Sequence, residues 1–143
     1  MIKLLLVEDG EGDRELIMGQ VFDFCEDQDS PFKIGVAMCL KEAKQHLDSH
    51  RYDLVLLDLN LPDAKDLEAL EDLLKEYGEG TPIVVLCSNP DCEVAEKAVR
   101  MGARDYLVKA YTGAEQLKDS LRLAYEKHVS DLNLRGLVAA ANV

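Results

Sequence analysis

The sequence predicts an α/β fold, a doubly wound three-layer sandwich in which helices cover both faces of a five-stranded parallel sheet. Five short apolar runs are continuous rather than alternating, as expected of strands that are buried on both faces. They cover residues 2–7, 32–37, 54–57, 83–86 and 106–108. Longer segments of helical period separate these runs, and five β-α units in succession favour right-handed crossovers.

Each intervening segment carries apolar residues on one helical face, which predicts the core positions of five helices. In chain order these are Leu16, Ile17, Val21 and Phe24; Leu40, Ala43 and Leu47; Leu67, Leu70, Leu73 and Leu74; Val94, Ala95, Ala98 and Val99; and Leu117, Leu121, Ala124 and Tyr125. Gly102 is expected to end the fourth helix, because glycine readily adopts the conformation that ends helices. The last helical pattern passes His128, so we assign residues 1–128 to the domain and residues 129–143 to a helical extension, a C-terminal tail or a linker.

Length and charge narrow the functional class. The chain has 143 residues, enough for one compact domain, and its 28 acidic against 16 basic side chains give a net charge of −12. Such a surface repels nucleic-acid phosphates and anionic lipids, so we expect no direct binding to nucleic acid or membrane. The first apolar run is too short for a signal or membrane segment, which predicts a cytoplasmic protein.

The cysteines and histidines offer no metal-binding spacing. No C-x-x-C pair occurs among the four cysteines. Reduced, mostly buried thiols are therefore the expectation for Cys25, Cys39 and Cys92, whereas Cys87 lies at the end of the predicted fourth strand. The histidines are expected at the surface; these are His46, His50 and His128.

Acidic residues follow two of the predicted strands. Glu8 and Asp9 close the first strand and Asp58 closes the third. The carboxyl ends of parallel strands meet at one edge, and three converging carboxylates are costly unless a cation compensates them. Mg²⁺ suits such oxygen ligands. Lys109 closes the fifth strand at the same edge, so the group predicts a site for phosphoryl transfer.

Each of these residues taken alone also fits a structural role. Glu8 and Asp9 suit the start of a helix, Asp58 suits a cap or a turn, and Lys109 suits the surface. Their joint position at the strand ends favours the functional interpretation.

Three segments resemble those of response-regulator receiver domains, the CheY-like superfamily of two-component signalling. Residues 4–9 (LLLVED) resemble the first strand and acidic pair, residues 53–62 (DLVLLDLNLP) the phosphoacceptor strand and its loop, and residues 102–109 (GARDYLVK) the last strand and its lysine. The resemblance covers about residues 2–128 and implies a flavodoxin-like (βα)5 fold that works as a phosphorylation switch.

The resemblance also implies roles for single residues. Asp58 would accept a phosphoryl group from a sensor histidine kinase or a phosphotransfer protein. Asp9 and Asp58 would bind Mg²⁺ through their side chains, Asn60 through its carbonyl and Glu8 through water. Lys109 would contact the phosphoryl group.

The remaining implied roles concern rate and output. Tyr106 would be the aromatic switch residue, and Asn60 and Asn89 would tune dephosphorylation. The fourth helix, fifth strand and fifth helix would form the surface that changes its affinity for a downstream protein or a missing output domain, and through which a dimer could form. The chain would be no enzyme with a separate substrate, because it would catalyse only its own phosphorylation and dephosphorylation.

The sequence departs from the family at three places. Cys87 stands where Thr or Ser usually ends the fourth strand, and a thiol is a weaker donor than a hydroxyl; the alternative is that Ser88 takes that role. Ala110 replaces the usual cis proline after Lys109, so the isomer of this bond is open. Asp66 stands where the family often has glycine.

Three other functions compete with this interpretation. A flavodoxin-like electron carrier would need a phosphate-cradling loop after the first strand, where this chain has Glu8 and Asp9. A phosphatase of the haloacid dehalogenase type would need a second aspartate where Asn60 stands. A receiver-like interaction module that is not phosphorylated is the strongest alternative, although such modules usually lose an acid or the lysine.

Overall fold

The computed structural model describes residues 2–22, 32–65, 67–88 and 92–141. One parallel sheet forms its centre, with strand order β2-β1-β3-β4-β5. The strands are β1 (Ile2–Val7), β2 (Phe32–Ala37), β3 (Leu54–Asp58), β4 (Ile83–Cys87) and β5 (Asp105–Val108). All five predicted strands are confirmed, and three of them are one residue longer than the apolar runs.

A helix follows every strand, which gives the predicted flavodoxin-like sandwich. The helices are α1 (Glu11–Phe22), α2 (Leu40–Ser49), α3 (Glu68–Tyr77), α4 (Cys92–Met101) and α5 (Ala114–Ala141). A single 3-10 turn, Lys109–Tyr111, joins β5 to α5. Gly102 has a φ of 128° and follows the last residue of α4, as predicted for a glycine that ends a helix.

The register of the strands brings their carboxyl ends to one level. Val7 pairs with Leu57, so Glu8 and Asp58 follow in adjacent strands at the same edge. Because β1 lies between β2 and β3, the direction of winding reverses there, which is where doubly wound folds bind their ligands.

Two apolar cores lie on opposite faces of the sheet. Alternate residues of each strand point to opposite sides, so Leu5 and Leu57 join a core under α2, α3 and α4, whereas Leu4 and Leu56 join a core under α1 and α5. Each fully buried leucine stabilises the fold by about 1.5–3 kcal/mol relative to an exposed one. Burial on both faces explains why the strands read as continuous apolar runs.

Two predicted core positions are wrong. Leu16 and Val99 are exposed, although Ile17, Val21, Ala95 and Ala98 in the same helices are buried. Each exposed residue sits next to the buried stripe, about 100° around the helix, on a side that none of the described helices and strands covers. The other predicted helix positions with described side chains are at least partly buried, and Phe24 lies outside the described residues.

The end of α5 corrects the prediction for His128. His128 is buried rather than exposed, since it continues the inward stripe of Leu121 and Ala124. Arg104, just before β5, contacts His128 Nδ1 at 3.1 Å and pairs with Asp131 at 2.8 Å. The helix runs on to Ala141, and the division into residues 1–128 and 129–143 stays a prediction.

Two cysteines have described side chains. Neither Cys39 nor Cys87 is part of a disulfide bond; Cys87 is buried and Cys39 is only half-buried. Cys25 lies outside the described residues, as does the side chain of Cys92. Within the described parts of the chain, none of the helices is apolar over a stretch long enough to span a bilayer.

Candidate functional site

Three carboxylates meet at the carboxyl edge of the sheet. Glu8 and Asp9 leave the end of β1, Asp58 ends β3, and one oxygen of each lies within 4.8 Å of the others. Glu8 and Asp58 are each only 1% exposed, whereas Asp9 faces solvent. The structure therefore brings together the three acids that the sequence placed at separate strand ends.

Glu8 is the most perturbed acid of this group. Burial is the main reason that its pKa is raised from an ordinary 4.5 to about 7; nearby Asp58 adds to the rise, while the ion pair with Lys109 and the Gly10 N–H reduce it. Gly10 N donates to Glu8 Oε1 at 3.1 Å. Buried Oε2 lies 2.7 Å from Lys109 Nζ but accepts no hydrogen bond of ordinary geometry from the described residues. This oxygen of Glu8 is therefore stabilised by the positive charge of Lys109 and not by a hydrogen bond from any described residue.

Lys109 supplies the positive charge of the site. It begins the 3-10 turn after β5, and its Nζ lies 2.7 Å from Glu8 Oε2, 3.0 Å from Asp13 Oδ2 and 3.4 Å from Asp58 Oδ2. Burial alone would lower the pKa of Lys109, but the ion pair with Glu8, the hydrogen bond with Asp13 and the charge of Asp58 raise it well above its usual range. Lys109 therefore stays protonated.

Sequence reasoning missed Asp13. This residue lies in the first turn of α1, which begins three residues after Glu8 and so passes over the edge of the sheet. The sequence did contain a signal for it: Asp13 follows the acidic pair Glu8 and Asp9 by only a few residues, within the first turn of the next helix.

The donor set fits a divalent cation such as Mg²⁺. The three clustered carboxylates carry more negative charge than Lys109 can balance, and none of the described residues donates a hydrogen bond to the buried Oε2 of Glu8. A hard cation with oxygen ligands and retained water would correct both deficits. Glu8, Asp9 and Asp58 are the residues that could hold it.

The loop after β1 is held by Arg14, a second residue that the sequence did not indicate. Its Nη1 lies 3.4 Å from the carbonyl oxygen of Glu8 and 3.2 Å from that of Asp9. These contacts fix the backbone that carries the acidic pair, so Arg14 acts on the geometry of the site.

The loop after β3 is fixed at both ends. Asn60 N donates to Asp58 Oδ1 at 3.2 Å, and the Asp63 carboxylate accepts from the N–H groups of Leu40 and Lys41 at 2.9 and 3.0 Å. These two bonds cap α2 and lower the pKa of Asp63 although burial works against them. An opening of about 350 Å³ lies between Asp9 and this loop.

Cys87 and Ser88, at the end of β4, differ in their exposure to solvent. Cys87 is buried in the core under α2, α3 and α4. Ser88 is exposed, and its Oγ accepts a hydrogen bond of 2.9 Å from Asn60 Nδ2. Ser88 thus links the loops after β3 and β4 across the rim of the site.

Of the other predicted site residues, Tyr106 is exposed on β5. No cis peptide bond occurs in the described segments, so the bond between Lys109 and Ala110 is trans. Asn89 and Asp66 lie outside the described residues.

Comparisons with known proteins agree with this architecture. The chain matches the family described as response regulator receiver domain over residues 4–122. It is 34% identical over 118 residues to the transcriptional regulatory protein CiaR of Streptococcus pneumoniae, covering 82% of this chain and 49% of that protein. It is 31% identical over 112 residues to MalR of Bacillus subtilis, covering 78% and 45%.

A solved receiver-domain structure has a similar fold. The signal receiver domain of an HD domain-containing protein from Pseudomonas fluorescens is 26% identical, with a TM-score of 0.77 and 92% of each chain covered. The chain spans about half the length of the curated relatives it matches. Fold, strand-end acids and family match lead to one conclusion: the chain belongs to the response-regulator receiver family, the signalling domains of two-component systems.

Proposed function

We propose that this protein is a phosphorylation-dependent switch that accepts a phosphoryl group on Asp58 from a sensor histidine kinase or a phosphotransfer protein. The observation that carries the proposal is the convergence of Lys109 and three carboxylates on the end of β3. Asp58 is the central acid, because one of its oxygens accepts from Asn60 N and the other lies 3.4 Å from Lys109 Nζ.

The transfer follows from these positions. A carboxylate oxygen of Asp58 attacks the phosphorus of a phosphohistidine, the P–O bond forms, the P–N bond breaks, and the imidazole leaves with the electron pair. Lys109 stays protonated and neutralises charge on the phosphoryl oxygens. Mg²⁺ bound by Asp9 and Asp58, with the Asn60 carbonyl and Glu8 through water, would supply further charge neutralisation.

Hydrolysis of the acyl phosphate would return Asp58 to its carboxylate. Asn60 and Asn89 are the residues we propose to set its rate. The hydrogen bond from Asn60 to Ser88 fixes one side chain at the mouth of the site, which limits how water approaches. The protein catalyses only these two reactions on itself.

The output would be a change of affinity for a partner. Phosphorylation adds charge at the end of β3, to which the end of β4 and exposed Tyr106 would respond, with Cys87 or Ser88 as the coupling residue. The partner surface, or a dimer interface, would be formed by α4, β5 and α5. The relatives CiaR and MalR are transcriptional regulatory proteins about twice as long as the matched region, so the output is a downstream protein or a missing domain. We place the switch in the cytoplasm, without direct contacts to nucleic acid or membrane.

The test is the intact mass after incubation with acetyl phosphate, with and without Mg²⁺. One Mg²⁺-dependent phosphoryl adduct is expected for the native protein, and none for Asp58→Asn. Asp53→Asn is the matched control, since Asp53 precedes the other end of β3 and binds Lys3 N. An adduct that persists in Asp58→Asn would contradict the assignment, and no adduct in the native protein would favour a phosphorylation-independent interaction module.

A further inference from the structure

Lys109 has three N–H donors and three carboxylate neighbours. Two of these neighbours, Glu8 and Asp58, have side chains that are 2% and 1% exposed. The third, Asp13, is 51% exposed and lies on α1, outside the cluster of Glu8, Asp9 and Asp58. Lys109 donates a hydrogen bond to Asp13 Oδ2 at 3.0 Å and lies at ion-pair distance from the other two carboxylates, so a phosphoryl oxygen must compete with these partners for the ammonium group.

The cost of release differs among the partners. A buried carboxylate that loses its cation keeps an uncompensated charge away from water, which is strongly unfavourable. Asp13 would be solvated on release, and an ion pair with one half-exposed member contributes little. Asp13 is thus the partner that Lys109 gives up most easily.

We propose that Asp13 is a positioning residue that holds Lys109 in the unphosphorylated protein and is exchanged for a phosphoryl oxygen on Asp58. This inference rests on the proposed function, because the exchange needs a phosphoryl group at Asp58. It assigns to Asp13 a role separate from metal binding: it sets how readily Lys109 turns to the phosphoryl group.

The inference predicts that Asp13→Asn favours the phosphoryl-bound state. Without Asp13, Lys109 keeps its ion pairs with Glu8 and Asp58 and no longer has to break the contact with Asp13, so binding the phosphoryl group costs less. Binding of beryllofluoride, a phosphoryl analogue, is measured by fluorine NMR at saturating Mg²⁺. The variant should bind about two- to five-fold more tightly than the native protein, the range expected for one partly exposed ion pair.

Two variants serve as controls. Asp13→Glu keeps the carboxylate and should bind nearly as the native protein does. Glu15→Gln makes the same charge change at an exposed residue of α1. Residues two positions apart on a helix point to different sides, so Glu15 does not face Lys109 as Asp13 does. Glu15→Gln should therefore leave the affinity for beryllofluoride unchanged.

A double-mutant cycle tests whether Asp13 acts through Lys109. Mg²⁺ affinity is measured by calorimetry in four proteins: native, Asp13→Asn, Lys109→Gln and the double variant. Asp13→Asn should weaken Mg²⁺ binding when Lys109 is present, because the lysine then turns more to Glu8 and Asp58. The loss should be at least two-fold smaller with Lys109→Gln, where only the direct charge effect of Asp13 remains.

The outcomes separate the two ideas. If the native protein forms no adduct and binds no beryllofluoride, the proposed function fails and the exchange fails with it. If the native protein binds the analogue and Asp13→Asn binds it equally or less tightly, only the role of Asp13 is overturned. An equal loss of Mg²⁺ affinity with and without Lys109 would also overturn it.

Discussion

Lys109 and Lys44 each pair with more than one carboxylate, but they do so at different depths. Lys44 joins α2 to α3 through Asp72 at 3.4 Å and Glu76 at 3.2 Å; its side chain is 30% exposed and each partner is 51% exposed. Lys109 is 16% exposed, and its partner Glu8 is 2% exposed. The distances are similar, so burial is the main difference between the clusters.

The consequence of that difference is seen in the acids. Glu8 has a pKa raised to about 7, because burial opposes its ionisation. The hydrogen bond with Glu76 raises the pKa of Lys44, but water remains available to every member of that cluster. A charged group that water can reach has little to gain from a partner, whereas the Lys109 cluster holds charge that only a cation or a proton can compensate.

Lys109→Gln should have the largest effect on stability. It leaves Glu8 and Asp58 buried without their cation, and removing one partner of a buried pair costs about 3–5 kcal/mol. Urea unfolding at pH 7 in EDTA measures the free energy of unfolding. A loss as small as that of Lys44→Gln would show that burial does not separate the two clusters.

Glu8→Gln should change how stability depends on pH. Between pH 4.5 and 7 the folded protein keeps a proton on Glu8 that the unfolded chain has released, so native stability falls as pH rises through this window. Ionised Glu8 therefore destabilises the metal-free fold by about 3 kcal/mol above pH 7. The free energy of unfolding should be measured in EDTA at several pH values. From pH 4.5 to 8, that of Glu8→Gln should increase relative to that of the native protein. A constant difference between the two proteins would contradict this assignment.

Mg²⁺ should stabilise the native protein by about 2.7 kcal/mol at one hundred times its dissociation constant, by binding only the folded state. Asp9→Asn removes an exposed carboxylate of the proposed metal site and should reduce this gain at the same Mg²⁺ concentration. Thermal unfolding with Mg²⁺ or EDTA measures both. An equal gain in the variant would exclude Asp9 as a ligand.

Lys44→Gln should have the smallest effect. Its partners Asp72 and Glu76 are half exposed and return to water when the lysine is removed. The urea midpoint should stay within experimental error of the native value, in the same experiment that measures Lys109→Gln. A clear loss would mean that contacts between α2 and α3 depend on this charge.

Much of the fold could be predicted because its signals are local. Continuous apolar runs marked all five strands, and Gly102 marked the end of α4. Leu16, Val99 and His128 were misassigned, because helical periodicity indicates a face but not how far a neighbouring element covers it. Arg104 contacts His128 and Asp131, which lie 24 and 27 residues further along the chain, and local sequence cannot show such contacts.

The sequence by itself determined the sheet and the residue types at its carboxyl edge, because buried strands and the acids that follow them can both be recognised from short stretches of neighbouring residues. Only the tertiary structure decided how their charge is shared. It set Lys109 between Glu8, Asp58 and Asp13, and it buried Glu8 while leaving Asp13 in water. The physical reason is that a carboxylate's energy depends on its distance to a cation and its access to water, and both are properties of the packed fold.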